Sequence, residues 1–149
     1  MSVSLQNAIR RGCTGDLEAI RRLLEGAGLP TADLTEIKDL RLWVLESDGR
    51  QLGVIALEHF GTHALLRSLA IAPEHRNRGL GRGLVARLEH DARSEGVTRL
   101  TLLTATAEEF FRRLGYEATE RANVPEEVRQ SAEFRLLCPV AAVCMTKSL

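Results

Sequence analysis

The sequence predicts a mixed α/β fold, in which one sheet carries helices on both faces. Three runs with high strand propensity follow one another with only short turns between them, which is the pattern of an antiparallel meander. A strand, a helix and another strand then follow in close succession, and a connection of that kind places its two strands parallel. A sheet with both kinds of pairing buries its faces under helices.

The first elements are a weak strand and a helix. Val3–Arg10 alternates imperfectly and predicts the first strand. A helix follows, with Thr14 or Asp16 as its cap, and two glycines end it. Its apolar face consists of four residues at helical spacing: Leu17, Ile20, Leu23 and Leu24. Leu29–Leu34 is then expected to form a short second helix.

The meander and the parallel unit supply most of the sheet. We expect its three strands at Leu40–Glu46, Gln51–Phe60 and His63–Pro73, separated by Ser-Asp-Gly-Arg and Gly-Thr turns. The parallel unit joins the third strand to Val97–Ala105 through a helix. The buried side of that helix is expected to be Leu84, Val85, Leu88 and Ala92. The remaining predicted elements are a helix over Ala107–Leu114, a strand over 116–120, a helix from Pro125 and a strand over Val140–Thr146.

Composition narrows the class of protein. The chain has 149 residues, which fits one domain spanning residues 1–149. Lys plus Arg and Asp plus Glu both number 20, so no excess of positive charge indicates nucleic acid. No apolar run approaches the roughly 18 residues of a membrane span, and no membrane partner is expected. Three cysteines, Cys13, Cys138 and Cys144, without a CxxC pair, argue against a disulfide framework or a metal site and favour the cytoplasm.

A glycine-rich stretch, Arg76–Leu88, precedes the helix of the parallel unit. Glycines before a helix let successive N–H groups converge on an anion, and arginines add a permanent charge. A Walker A loop is excluded, because no Lys-Ser or Lys-Thr follows. The dinucleotide fingerprint is excluded as well, because the glycines run GxGxG. Arg76-Asn77-Arg78-Gly79-Leu80-Gly81 instead matches the pattern Arg/Gln-x-x-Gly-x-Gly/Ala between a strand and a helix.

That pattern resembles the GNAT family of acetyl-CoA-dependent N-acetyltransferases, and the resemblance extends over nearly the whole chain. It implies a mixed, mostly antiparallel sheet of six to seven strands, in which the strand before the glycines and the following parallel strand splay apart. Acetyl-CoA would be the co-substrate. The residues that the resemblance assigns to it are Leu69, Ala70, Ile71, Arg76, Arg78, Gly79, Leu80, Gly81, Arg82, Gly83, Ala107, Phe110 and Phe111.

Three departures from the family pattern concern the acid–base chemistry. Many members have a tyrosine acid four residues before a glycine, where this chain has Phe111. Thr104 stands where an asparagine is common, and Arg67 stands where a glutamate is frequent. Arg67 could bind a substrate carboxylate or form a structural salt bridge, for example to Glu58. Thr104 could hydrogen-bond substrate or water, and Glu58 could hold a catalytic water.

Other candidates are weaker. His59, His63 and Tyr116 could each exchange a proton, although surface placement explains the two histidines better and packing explains the tyrosine better. The residues that could line the substrate side are Arg121, Arg129, Glu133, Phe134 and Cys138.

With these departures, the sequence resembles one branch of the family. It is similar to the acetyltransferase domain of N-acetylglutamate synthases and to small acetyltransferases of bacterial arsenic-resistance operons. The resemblance implies a small amino-acid acceptor with an acidic or oxyanionic side chain, such as a glutamate-like organoarsenical. The alternatives are an N-acetylglutamate synthase-type enzyme and a non-catalytic acyl-CoA sensor. It also implies a homodimer, since dimers are common in the family.

Overall fold

The computed structural model describes residues 9–32, 34–35, 39–137 and 141–149. Its strands are β1 (Ile9–Arg11), β2 (Leu40–Ser47), β3 (Arg50–Phe60), β4 (His63–Ile71), β5 (Arg99–Thr104), β6 (Glu117–Ala118) and β7 (Val143–Ser148). Its α-helices are α1 (Leu17–Gly26), α2 (Leu80–Ser94), α3 (Glu108–Arg113) and α4 (Glu126–Arg129). A π-helical turn, Glu133–Leu137, follows α4.

The strands form one sheet in the order β1-β2-β3-β4-β5-β7-β6. All neighbours are antiparallel except β4 and β5, which are parallel and joined through α2. The predicted meander and the predicted parallel unit are therefore both confirmed. Across the described residues, no helix has the length and apolar composition that crossing a membrane requires.

The parallel contact between β4 and β5 is short. Its register runs only from His63 opposite Arg99 to Leu65 opposite Thr101. Just beyond, β4 contains a bulge against β3, because Ile55 faces two residues, Ser68 and Leu69, where regular pairing would give one. Ser68 has a φ of 59°, which is unusual for a residue with a side chain. The predicted splayed strand pair is thus present, and the bulge coincides with it.

Helices cover both faces of the sheet, as predicted. Because side chains alternate along a strand, neighbours in β2 enter different cores. The core under α2 and α3 includes Trp43, Leu45, Ile55, Leu57, Leu84, Leu88 and Phe111. The core under α1 includes Ile20, Leu24, Leu42, Val44 and Val54.

Two sequence predictions of helices need correction. The described part of the predicted helix Leu29–Leu34 holds only a turn, closed by the Leu34 N–H on the Thr31 carbonyl. The predicted helix from Pro125 ends at Arg129 and is followed by the π-helical turn. Val128 and Phe134 share one core cluster, yet in a continuous α-helix six residues would separate their side chains by roughly 120° around the axis. The interruption lets both side chains reach that core.

Two other predictions fall partly outside the described residues: most of Val3–Arg10, of which β1 keeps the end, and the start of Val140–Thr146. Cys138 also lies outside them.

Asp16 ties the start of α1 to the sheet. Its carboxylate accepts hydrogen bonds from Arg10 at 2.8 and 2.9 Å, from the Cys13 N–H at 2.8 Å and from Gln51 at 3.0 Å. The hydrogen bond from Arg10 holds the pKa of Asp16 well below its usual range, although burial opposes it. Asp16 occupies the predicted N-cap position of α1, but its side chain makes no capping hydrogen bond to the helix, and Thr14 belongs to the 3-10 turn before it.

We expect Asp16→Asn to lower the free energy of unfolding at pH 7 by about 1–3 kcal/mol, since it removes a buried charged acceptor. A lowered folded pKa contributes stability above the unfolded pKa of about 3.9, and that contribution is lost as the pH falls. The difference from wild type should therefore shrink below about pH 4. Chemical denaturation across pH measures it. Asp48→Asn, in an exposed turn, is the matched control, and equal stability of the two variants would contradict the prediction.

Candidate active site

A pocket of about 630 Å³ opens where β4 and β5 separate. Leu66–Ile71 on one side and Leu102–Ala107 on the other form its walls. Of the sixteen residues that the sequence assigns to acetyl-CoA or to catalysis, ten line it: Arg67, Leu69, Ala70, Ile71, Arg76, Thr104, Gly81, Ala107, Phe110 and Phe111. The other six lie outside its lining: Glu58, Arg78, Gly79, Leu80, Arg82 and Gly83.

The N-terminus of α2 points its backbone toward this region without a capping side chain. Gly79 precedes the helix with a φ of 76°, a left-handed conformation that glycine adopts without strain. The Gly83 N–H closes the first turn on the Gly79 carbonyl at 3.2 Å, so the preceding N–H groups are the donors that an α-helix leaves unsatisfied. A Cβ on Gly81 would lie 3.4 Å from the Phe110 ring. Such a terminus has the charge and the close backbone access that an anion requires.

The three arginines nearest the glycines, Arg76, Arg78 and Arg82, are exposed. Arg76 donates to the Ile71 carbonyl at 3.1 Å, which links the loop to the end of β4. Arg78 contacts the His75 ring at 3.2 Å. Leu80 buries its side chain in the core under α2, so only its main chain is available to a ligand.

Arg67 lies at the inner wall of the pocket with two carboxylates. Its side chain is fully buried, with guanidinium nitrogens 3.7 Å from Glu58 Oε1 and 3.8 Å from Glu133 Oε1. Its Nε also lies 3.2 Å from Ser68 Oγ, in the bulge. Arg67 therefore forms the expected ion pair with Glu58 and is also among the residues that line the pocket. Its contact with a substrate oxyanion stays a prediction.

Thr104 and Phe111 sit on the opposite wall. Thr104 Oγ1 accepts the Ala107 N–H at 2.9 Å and thereby fixes the turn into α3. Its hydroxyl proton can still be donated. Phe111 packs edge-on against both Phe110 and Tyr116, with ring centroids 5.0 and 5.5 Å away. At the position where many family members have a tyrosine acid, this chain therefore has an apolar side chain in the pocket wall.

The other proton-exchange candidates lie elsewhere. Tyr116 is 1% exposed and donates to Glu89 at 2.8 Å, and burial with the Glu89 charge raises its pKa. Burial and the charge of Arg99 lower the pKa of His63. His59 lies 3.5 Å from Asp39. None of these three lines the pocket.

The sequence interpretation missed the wall that follows α1. Ala27, Gly28, Leu29 and Pro30 line the pocket, although a helix end followed by the start of a second helix was expected there. The Gly-Leu-Pro sequence breaks the first helix, but it does not indicate that the chain then lies against the pocket. Glu133, one of several candidates from the sequence, lines the pocket, whereas Arg129 donates to the Val124 carbonyl.

Known proteins are similar to this chain in fold and in sequence. The acetyltransferase (GNAT) domain family matches residues 38–118. An uncharacterized N-acetyltransferase from Chlorobaculum tepidum is 31% identical, over 91% of this chain and 90% of the relative. An amino-acid acetyltransferase from Aeromonas salmonicida is 32% identical over 76% of this chain. The match covers only 26% of that longer protein.

Two solved structures extend the comparison. N-acetylglutamate synthase from Neisseria gonorrhoeae, complexed with coenzyme A and N-acetyl-glutamate, superposes with a TM-score of 0.80. It is 24% identical over 95% of this chain and 34% of its own. A Mycobacterium tuberculosis protein in complex with CoA gives a TM-score of 0.79 at 26% identity, covering 95% of this chain and 98% of that one. With its splayed strands and glycine-led helix, the chain belongs to the GNAT family and is an acetyl-CoA-dependent N-acetyltransferase.

Proposed function

We propose that this acetyltransferase acetylates the amine of a small amino acid with an acidic or oxyanionic side chain. The observation that carries the proposal is the buried Arg67 at the pocket wall, between the carboxylates of Glu58 and Glu133. An amino acid carries both charges. Its ammonium can pair with a carboxylate while its oxyanion pairs with Arg67, so one internal ion pair is exchanged for two with the substrate.

The proposed binding site for acetyl-CoA consists largely of backbone groups. The pyrophosphate of acetyl-CoA would meet the N–H groups at the start of α2, between Gly79 and Gly83, with Arg76, Arg78 and Arg82 supplying positive charge. The pantetheine arm would run along β4 at Leu69–Ile71, beside Ala107, Phe110 and Phe111. A bound acetyl-CoA supplies the thioester. The chain's own part is to orient it and to exclude water.

Relatives with amino-acid substrates support this acceptor class. Glutamate and a glutamate-like organoarsenical both fit it, and an N-acetylglutamate synthase-type activity differs only in the acceptor. The alternative of a non-catalytic acyl-CoA sensor rests only on Phe111, which offers no proton. A single domain over residues 1–149, a cytoplasmic location and a homodimer stay predictions.

We expect Gly81→Leu to raise the Kd for coenzyme A by about 100-fold or more, equivalent to about 2.8 kcal/mol. Leucine is a better helix former than glycine, so α2 should persist, but its side chain would meet Phe110 where the cofactor must approach. Isothermal titration calorimetry measures the affinity. Gly26→Leu, at an exposed helix end with open space around it, is the control. Equal affinity of both variants would place the cofactor elsewhere.

Thiol release from acetyl-CoA tests the acceptor. The panel is L-glutamate, L-aspartate, L-glutamine and a glutamate analogue with an arsonate in place of its side-chain carboxylate. We expect turnover of at least one acidic member, and the ratio of kcat/KM values decides between glutamate and the arsenical. Binding of coenzyme A without turnover of any amine would instead favour the sensor.

Arg67→Lys tests the oxyanion contact. Lysine keeps the buried positive charge but loses the fork that binds two oxygens. We expect the KM for the best acceptor to rise about 10- to 100-fold, matching the loss of one charge-assisted hydrogen bond, with coenzyme A affinity unchanged. Arg93→Lys, exposed on α2, is the control. An unchanged KM would assign Arg67 a structural role only.

A further inference from the structure

Among the described residues that line the pocket, Glu133 is the only one with a carboxylate. Glu58 reaches the same guanidinium from β3 but lies outside the lining. We propose that Glu133 is the catalytic base, which accepts the proton that the acceptor's ammonium must lose before its nitrogen can attack. This assignment rests on the proposed function and names the group that replaces the glutamate expected at position 67.

Contacts of the neighbouring residues fix the backbone that carries Glu133. It is 4% exposed and begins the π-helical turn, a feature that is frequent at functional sites. The next residue, Phe134, donates its N–H to Ser131 Oγ and buries its ring, with the Arg121 guanidinium 5.7 Å from the ring centroid. A carboxylate fixed in this way needs little reorganisation during the reaction.

The charges around Glu133 favour proton transfer. Arg67 faces it from β4, Glu58 shares that guanidinium from β3, and Arg121 contacts the neighbouring Phe134. The ammonium of the acceptor and the carboxylate of Glu133 carry opposite charges, and transfer of one proton between them leaves both of these groups neutral. In a pocket closed by the substrates, water solvates charges poorly, so the transfer removes two charges that would otherwise be poorly solvated.

The remaining bonds balance without an acid at Phe111. The ammonium gives one proton to Glu133, and the neutral nitrogen attacks the acetyl carbonyl carbon. The carbon–sulfur bond then breaks, and its electron pair leaves with the sulfur as a thiolate. The nitrogen still carries one proton more than an amide needs, and that proton passes to the thiolate. The products are the N-acetylated acceptor and coenzyme A, and Glu133 returns its proton to water.

The test compares Glu133→Gln with wild type, using the member of the four-compound panel that wild type acetylates fastest. We expect kcat/KM at pH 7 to fall by about 100-fold or more. The loss should narrow to within about tenfold near pH 10, where a free amine has largely lost its proton without help. A purely structural role would lower the rate equally at every pH. The affinity for coenzyme A, measured by calorimetry, should remain within about threefold of wild type.

Glu126→Gln, an exposed site on α4, makes the same change of charge and serves as the control. Glu133→Asp, which keeps a carboxylate, should retain more activity at pH 7 than Glu133→Gln. The assignment is overturned if Glu133→Gln matches the control, or if its deficit is independent of pH. Absence of turnover by wild type with every panel amine would overturn the proposed function, and the base with it.

Discussion

β4 and β5 pair as parallel neighbours over three residues and then separate, and the pocket depends on that separation. The pairing ends at Leu65, and the bulge at Ser68 follows within the same strand. Beyond it, β4 cannot satisfy its backbone groups on β5, so a ligand inserted there meets main-chain donors and acceptors. α2 begins beside the same gap because the chain returns from β4 through the glycine stretch. One departure from regular pairing thus positions both the expected thioester and the expected phosphates.

The two parts of the pocket differ in the groups that carry their charge. Its outer part, at the start of α2, uses backbone dipoles and exposed arginines, which suits a large anion that must enter and leave. Its inner part uses buried side chains of both signs, Arg67 with Glu58 and Glu133. Buried charges act strongly because water screens them little, so small changes there should alter acceptor choice more than cofactor affinity.

The sequence predicted the helices and strands better than it predicted where they end and which residues line the pocket. The meander and the α2 unit follow from alternation and helical spacing, which are local signals. The π-helical turn at Glu133 arises from tertiary packing, since Val128 and Phe134 must share a core. In the turn after α1, Leu34 is buried in the core under α1. Arg67 could be located on β4 from alternation, but its partnership with Glu133 joins residues far apart in sequence. The glycine stretch was recognisable because an anion site needs a local pattern of backbone freedom.

The bulge also changes which residues of β4 face which helix layer. Before it, the even-numbered Ala64 and Leu66 join the core under α2, and after it the odd-numbered Leu69 and Ile71 pack there instead. Ala70, even-numbered, belongs to the core under α1. The strand therefore follows two opposite parities along its length. A pattern search that assumes one parity would therefore place the side chains after the bulge on the wrong layer, and removal of one bulge residue would exchange the two layers for the rest of β4.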